Sequence, residues 1–140
     1  MLDGMDIDAR AKRVRAWMGR SDYRPGADLV CLRDGVVIGW LNWGPSRDPA
    51  EERKVLEIRA IYALPEVWGQ GVGHALLTDA IARCVAEGGW EAVVLWVLAD
   101  NPRARRFYEA HGFALDGGRK DVALLGADPL EELRYRRSLP

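Results

Sequence analysis

The stretch from Trp68 to Leu77 reads Trp-Gly-Gln-Gly-Val-Gly-His-Ala-Leu-Leu, and it indicates the fold more clearly than any other part of the chain. Its glycines stand at alternate positions, Gly69, Gly71 and Gly73, and lead directly into an apolar run that favours a helix. Glycine lets the backbone turn tightly and brings N–H groups close to a ligand without a Cβ between them. A helix that begins in such a turn directs its unpaired N–H groups and its positive dipole end at one point. The pattern therefore predicts a cradle for a phosphate or pyrophosphate.

Two better-known phosphate-binding loops do not fit this stretch. A P-loop ends in Gly-Lys-Ser/Thr, whereas residues 73–75 read Gly-His-Ala. The dinucleotide fingerprint G-x-G-x-x-G also fails, because its last position would be His74 counted from Gly69, or Leu76 counted from Gly71. A protein that binds ATP or NAD through this loop is therefore disfavoured. A plain strand-to-helix connection stays open as an alternative on this stretch alone.

Length, composition and charge limit the classes of protein. A chain of 140 residues fits one domain with a buried core, and 49% apolar with 29% charged residues is ordinary for a soluble globular protein. The net charge of −1 argues against charge-driven binding to nucleic acid or to a membrane surface. No apolar stretch is long enough to span a bilayer, and the first residues do not form a secretion signal. We expect a cytoplasmic protein.

The two cysteines, Cys31 and Cys84, and the two histidines are far apart in the sequence. Neither cysteine lies in a pairing or metal-ligand motif, so we expect two buried thiols in a reducing compartment. We expect no metal site.

Hydrophobic periodicity and turn residues predict the order of the secondary structure. Residues 6–18 read as a helix, and Asp34-Gly35 indicates a hairpin. The other predicted elements are strands 29–32, 36–43 and 54–64, helix 71–87, strand 91–99, a helix from Asn101-Pro102 to His111-Gly112, and strands 114–116, 122–125 and 130–137. Strand 54–64, helix 71–87 and strand 91–99 form a parallel crossover, which places a ligand at the carboxyl ends of its strands.

A second segment supports the first. Residues 101–113 read Asn-Pro-Arg-Ala-Arg-Arg-Phe-Tyr-Glu-Ala-His-Gly-Phe, and residues 64–73 read Leu-Pro-Glu-Val-Trp-Gly-Gln-Gly-Val-Gly. Together they closely resemble the two acetyl-CoA motifs of the GCN5-related N-acetyltransferase (GNAT) superfamily, in that family's order and spacing. The resemblance implies an α/β acyl-CoA N-acyltransferase fold, with a mixed, mostly antiparallel sheet and helices on both faces. In this fold two parallel strands splay apart and the pantetheine arm lies in the gap. We expect one domain over 1–140, with a short helical segment at 1–28 and a core at 29–137.

The resemblance also implies a role for each matching residue. The backbone of Ile61 to Ala63 would hydrogen-bond the pantetheine as an added strand does, and the amides of Gly69 to His74 would hold the pyrophosphate. Asn101 would contact the cofactor, Ala104 would leave room for it, and Tyr108 would protonate the departing thiolate. The full cofactor-binding set is Ile61, Tyr62, Ala63, Trp68, Gly69, Gln70, Gly71, Val72, Gly73, His74, Asn101, Ala104 and Tyr108.

The chemistry of acetyl transfer agrees with these roles. Amide formation needs a neutral amine, so a base must take a proton, and a donor is needed where negative charge develops on sulfur. Tyrosine is protonated at neutral pH. Glu57 is the candidate base, with a surface ion pair to Arg59 or Lys54 as the alternative. The alternative for Tyr108 is a core aromatic residue.

Two pairs of side chains have open roles. Trp40 and Trp43 read as core residues, although a tryptophan at the acceptor mouth would suit an apolar or cationic substrate. Arg105 and its arginine neighbours at 103 and 106 read as a solvated helix face that could also reach the phosphates of CoA.

The sequence departs from the family pattern at two places. Trp68 stands where the family usually has Gln or Arg, which removes a polar contact but leaves the backbone cradle. Only about 28 residues precede the first clear strand, so either the usual first strand is absent or the start of the chain is placed too late.

The resemblance thus implies an acetyl-CoA-dependent N-acetyltransferase that acts on a primary amine by direct attack in a ternary complex. The alternative is a non-catalytic acyl-CoA-binding or regulatory module of the same fold. The acceptor is expected to be a small-molecule amine or a peptide amine, with no nucleic-acid or membrane partner, and a homodimer is expected from family habit.

Overall fold

A computed structural model of the protein describes residues 27–48, 54–123 and 128–140. The described elements, in chain order, are β1 (Ala27–Arg33), β2 (Val36–Pro45), β3 (Val55–Ala63), a 3-10 turn (Pro65–Val67), α1 (Val72–Glu87), β4 (Ala92–Leu98), α2 (Pro102–Ala110), β5 (Ala114–Val122) and β6 (Leu130–Ser138). The predicted helix at 6–18 and the question of a strand before β1 lie outside the described residues.

The described strands form one six-stranded sheet in the order β1-β2-β3-β4-β6-β5. The pairs β1–β2, β4–β6 and β5–β6 are antiparallel, and β3 runs parallel to β4. The predicted mixed, mostly antiparallel sheet and the parallel crossover through α1 are therefore confirmed. The chain divides into two compact units, residues 1–44 with 58–88 and residues 45–57 with 89–140.

The first unit contains β1, β2, the end of β3 and α1. The β1–β2 hairpin turns at Asp34 (φ 52°) and Gly35 (φ 79°), which is the left-handed pair that a tight hairpin requires. Gly39 allows α1 to pack on β2, because a Cβ there would lie 2.7 Å from Val72 Cγ1 and 3.0 Å from Leu76 Cδ1. Trp40 and Trp43 are buried, as predicted for core residues.

The second unit contains β4, β5, β6, α2 and the start of β3. Residues 92–95 of β4 are buried, as the short apolar run predicted. Its parallel pairing with β3 covers residues 55–57 opposite 92–94. Tyr135 of β6 is fully buried in this unit.

The prediction of two strands at 114–116 and 122–125 is wrong, because one strand, β5, runs from Ala114 to Val122. The Gly117-Gly118 pair makes an irregularity inside this strand, where the register against β6 shifts between Leu115 and Arg119. Gly117 has a φ of 92°, and the N–H of Gly118 donates to Asp116 Oδ1 at 2.9 Å. Gly117 and Gly118 therefore form a bulge within β5 and do not reverse the chain direction.

Cys84 is buried, as predicted, whereas Cys31 is only partly buried; both thiols are free. Cys31 lies on β1, which is an edge of the described sheet, and this position leaves the side chain partly accessible. Among the described residues no helix is long and apolar enough to cross a membrane.

Candidate functional site

The glycine-rich loop lies in the first unit, between the 3-10 turn and α1. Gly69 and Gly71 have φ values of 79° and 84°, and a Cβ at either position would meet nothing within 4 Å. Gly71 is the N-cap of α1, and the first donor within the helix is Ala75 N, 2.9 Å from Gly71 O. The N–H groups of the residues just before Ala75 have no acceptor within the helix, so they point out from its positive end.

Trp68 is turned back onto the strand that precedes the loop. Its indole Nε1 donates to the carbonyl oxygen of Ala63 at 3.0 Å. The ring therefore fixes the entrance of the loop. A cation comes from elsewhere in the sequence, because Arg33 Nη2 at the end of β1 donates to Gln70 Oε1 at 2.9 Å. Gln70 in turn donates to the carbonyl oxygen of Glu66 at 3.2 Å.

The end of β3 carries the residues predicted to contact the pantetheine. Ile61, Tyr62 and Ala63 are half-buried, and the Tyr62 ring stacks on Trp40 with 5.6 Å between centroids. Trp40 follows Gly39 on β2, so this stacking lies on the face of β2 opposite to the one that Gly39 presents to α1.

Glu57 lies in the second unit, at the last residue of β3 that pairs with β4. Its side chain is 4% exposed and binds Arg47, whose side chain is 52% exposed. Arg47 Nε lies 3.2 Å from Oε1, Nη2 lies 2.7 Å from Oε2, and the Arg47 main-chain N–H donates to Oε1 at 3.0 Å. Donation of hydrogen bonds to this carboxylate raises the pKa of Arg47 above its ordinary value.

The alternative for Glu57, a carboxylate on the surface, is wrong because the side chain is buried. Lys54 instead forms an ion pair with the exposed Glu91, with 3.9 Å between Nζ and Oε1. The role of Glu57 as a base stays a prediction, and its ion pair with Arg47 is a feature that the sequence did not indicate.

Helix α2 brings Asn101, Ala104 and Tyr108 together. Asn101 Oδ1 accepts from the N–H of Ala104 at 3.1 Å, and Pro102 follows as the first helical residue. The predicted N-cap is therefore confirmed, while the contacts of these residues with a cofactor stay predictions.

Tyr108 is the buried residue of α2. Its ring lies edge-on to Phe113 at 6.0 Å and next to Tyr135 at 6.5 Å between centroids. These contacts fit a packed aromatic residue, and they also hold the ring in one orientation. The role of Tyr108 as a proton donor stays a prediction.

Tyr135 attaches α2 to β6 through polar contacts. Its hydroxyl donates to Glu109 Oε2 at 2.7 Å and accepts from Arg105 Nε at 3.0 Å, while Arg105 Nη1 donates to the carbonyl oxygen of Ala99 at 3.2 Å. Burial raises the pKa of Tyr135, and its bond to Glu109 adds to that rise while Arg105 opposes it. Arg103 and Arg106 are exposed, as predicted for a solvated helix face. Arg105 departs from that prediction, because it is partly buried and bonded to Tyr135 and Ala99.

A sequence model described as the acetyltransferase (GNAT) family matches residues 5–113 of the chain. The chain belongs to the GNAT acetyltransferase family. The resemblance carried by the two motifs is thus confirmed, and the elements described above can be compared with those of other GNAT proteins.

Two curated relatives to which the chain is similar are named acetyltransferases. The mycothiol acetyltransferase of Brachybacterium faecium is 31% identical over 117 residues, which are 84% of this chain and 33% of that protein. The phosphinothricin N-acetyltransferase of Alcaligenes faecalis is 36% identical over 96 residues, which are 67% of this chain and 47% of that protein. The chain thus spans about a third to a half of the length of these relatives.

A solved GNAT structure confirms the predicted fold. The phosphinothricin acetyltransferase of Sinorhizobium meliloti, in complex with AcCoA, superposes with a TM-score of 0.71 at 26% identity, and the match covers 94% of this chain and 69% of that one. GNAT proteins use acetyl-CoA.

The residues of the glycine-rich loop fit a diphosphate. The loop has open space at Gly69 and Gly71 and leads into the N-terminus of a helix of 16 residues. The guanidinium of Arg33 is bonded to Gln70 in the same loop. These features provide hydrogen-bond donors and positive charge for an anion. Among the described residues no group of three or more His, Cys, Asp or Glu could hold a metal ion.

Sequence reasoning missed the contacts of one residue in the first unit and of two residues in the second. Arg33 is separated from Gln70 by 37 positions, Arg47 from Glu57 by 10, and Tyr135 from Glu109 by 26. Only the hairpin register hints at the place of Arg33, and no local pattern indicates the contacts of Arg47 or Tyr135.

Proposed function

We propose that the protein is an acetyl-CoA-dependent N-acetyltransferase that transfers the acetyl group to a primary amine by direct attack in a ternary complex. The observation that supports this proposal most is the loop at Gly69–His74, which opens onto the N-terminus of α1 within a chain of the GNAT family. When bound, acetyl-CoA supplies an activated acetyl group as a thioester.

The first unit would hold the diphosphate and the arm of the cofactor. Main-chain N–H groups of Gly69 to His74 would donate to the diphosphate oxygens, because their positions at the helix N-terminus favour an anion. Arg33 would add a positive charge there, which Trp68 cannot supply. The backbone of Ile61 to Ala63 would hydrogen-bond the pantetheine amides as a neighbouring strand does.

The second unit would supply the groups that move protons. Tyr108 would give its phenolic proton to the sulfur as negative charge develops there. Asn101 and Ala104 would line the cofactor beside it. Glu57 would take the proton of the amine, directly or through water, once a donor of Arg47 has left one of its oxygens.

The acceptor that we favour is a small molecule with a primary amine. A phosphinothricin N-acetyltransferase among the relatives supports a small amine over a protein. A peptide amine is the alternative. A cytoplasmic location and a homodimer stay predictions.

The test is isothermal titration calorimetry with acetyl-CoA, CoA, ATP and NAD, followed by turnover with a panel of amines. We expect acetyl-CoA and CoA to bind with affinities tighter than millimolar, ATP and NAD to bind more weakly, and at least one amine to be acetylated. The proposal is overturned if neither acetyl-CoA nor CoA binds at that level.

A second candidate is a non-catalytic acyl-CoA-binding module. The observation in its favour is that Arg47 donors engage both carboxylate oxygens of Glu57, which leaves the candidate base engaged in the structure described here. Binding of acetyl-CoA without turnover of any amine in the panel would favour this module over the enzyme.

A further inference from the structure

The pair of Glu57 and Arg47 joins a buried anion to an exposed cation. The Glu57 side chain is 4% exposed and the Arg47 side chain is 52% exposed. A buried carboxylate needs a cation and hydrogen bonds to offset the loss of water. Since half of Arg47 is already in solvent, the cation can leave toward solvent, whereas the carboxylate cannot.

The backbone on both sides of Arg47 is fixed independently of its guanidinium. Ser46 N donates to the carbonyl oxygen of Val55 at 2.9 Å. Asp48 lies 2.8 Å from Arg134 Nη1, and Arg134 Nε is 2.7 Å from Asp116 Oδ2. The Arg47 side chain can therefore rotate away while the main chain remains in place.

The main-chain hydrogen bond from Arg47 to Glu57 would survive this rotation. The main-chain N–H of Arg47 donates to Oε1 at 3.0 Å, and it does not depend on the side chain. Oε2, which accepts from Nη2 at 2.7 Å, would then lose this donor, and the place of the guanidinium beside it could take another cation. The negative charge of Glu132 also acts on Arg47 and helps to raise its pKa, so this position favours any cation over a neutral group.

We propose that Arg47 is an internal stand-in for the ammonium group of the acceptor: its guanidinium occupies the place beside Glu57 that a cationic amine takes, and it leaves when the amine binds. The identity of that cation as the acceptor rests on the proposed function. The exchange keeps the net charge of the position unchanged. When the bound ammonium passes one proton to Glu57, the products are a neutral amine and a protonated carboxyl group.

The direct test is chemical rescue of folding stability, which needs no turnover. Arg47→Ala should have a lower melting temperature, because it removes the guanidinium that binds both oxygens of a buried carboxylate. Ethylammonium chloride should restore most of this loss, relative to sodium chloride at equal ionic strength. It should have little effect on the wild-type protein, whose position is filled, or on Arg47→Ala combined with Glu57→Gln, which lacks the charge.

The matched control is Arg83→Ala. Arg83 forms an exposed ion pair with Asp79, 3.2 Å apart on α1, so its loss should change the melting temperature little and ethylammonium should restore nothing. If Arg47→Ala does not fold, Arg47→Gln undergoes the same titration. A destabilised Arg47 variant that ethylammonium does not rescue overturns the proposal and makes Arg47 a purely structural partner.

A second measurement separates this proposal from the proposed function. With any amine that the panel identifies, Arg47→Gln should lower the KM for the amine several-fold, because the internal competitor is gone, while the Kd for acetyl-CoA stays unchanged. A KM that is unchanged or raised overturns the stand-in role. If no amine is acetylated, the proposed function fails, and the rescue experiment still decides whether a small cation replaces Arg47.

Discussion

At the scale of single residues, Tyr108 combines two properties that a sequence pattern cannot separate. It is buried and has aromatic neighbours in Phe113 and Tyr135, as a core residue would be. It also stands at the position for which the resemblance to the family motif implies a proton donor. A packed ring restricts the directions in which the hydroxyl can point, and an oriented donor is what a developing thiolate needs.

We expect Tyr108→Phe to reduce turnover on the order of 10²–10⁴-fold while the affinity for CoA stays close to that of the wild type. The ring and its packing remain, and only the proton donor is removed. Steady-state kinetics and calorimetry measure the two effects.

Tyr135→Phe is the matched control, because it removes a hydroxyl from the neighbouring ring. That hydroxyl binds Glu109 and Arg105, so its loss should lower the free energy of unfolding by about 1 kcal/mol or more and affect turnover much less. Equal turnover in Tyr108→Phe and the wild type would mean that Tyr108 only packs.

The sequence identified residues whose role depends on local pattern. Asn101 was predicted as a cap because Asn and Pro in succession begin helices, and its Oδ1 indeed accepts from Ala104 N at 3.1 Å. Arg47 and Arg33 were missed because their partners come from other elements. A charged side chain reaches several positions around it, and only the packed fold selects one of them.

At the scale of elements, α1 begins and ends on glycines with positive φ. Gly71 has a φ of 84° and Gly88 a φ of 77°, and a Cβ at either would meet nothing within 4 Å. An alanine at either end would be strained without a clash. The strain would be larger at Gly88, whose ψ of 161° lies outside the left-handed region that Gly71 occupies with a ψ of 9°. Gly71 lies at the candidate diphosphate cradle, whereas Gly88 lies at the opposite end of the helix.

We expect Gly71→Ala to lower the free energy of unfolding by about 1–2 kcal/mol, the usual cost of a left-handed L-residue. Gly88→Ala should lower it by about 1–3 kcal/mol, because its φ of 77° and ψ of 161° lie in a region that glycine alone adopts readily. Only Gly71→Ala should weaken CoA binding, because it moves the N–H groups that face the anion. Urea unfolding and calorimetry make the comparison. Equal CoA affinities in the two variants would place the diphosphate elsewhere.

The ends of helices and strands were predicted well where a glycine or proline marks a cap or a hairpin turn. They were predicted poorly where a glycine can form either a turn or a bulge within a strand. The caps of α1 and α2 and the β1–β2 hairpin follow from such residues. In β5, the same kind of residue, Gly117, produces a bulge and not a chain reversal. The choice depends on the register against β6, which is set by residues more than ten positions away.

At the scale of the whole molecule, the buried thiol of Cys84 and the buried hydroxyl of Tyr135 are expected to lower the stability of the fold at alkaline pH. Burial, and to a lesser degree the charge of Glu87, raises the pKa of the Cys84 thiol from its ordinary 9.0 to about 11. Burial also raises the pKa of Tyr135. The unfolded chain loses these protons at lower pH than the folded protein, so folding binds protons in this window and stability falls as pH rises.

We therefore expect the free energy of unfolding to fall between about pH 9 and about pH 11, and to fall less steeply in Cys84→Ala than in the wild type. Urea unfolding at a series of pH values gives both slopes. Parallel slopes in the two proteins would show that the thiol titrates normally in the folded state.

Gly39 shows how far a requirement for one residue type can lie from any ligand. The first turn of α1 packs against Gly39 in the middle of β2, and Val72 and Leu76 occupy the space that a methyl group at this position would need. Gly39 therefore helps to set the orientation of the helix axis and of the N–H groups at its N-terminus, although it lies outside the proposed cofactor and acceptor contacts. A survey of tolerated replacements along the gene would rank Gly39 among the functional residues, although its contribution is purely spatial.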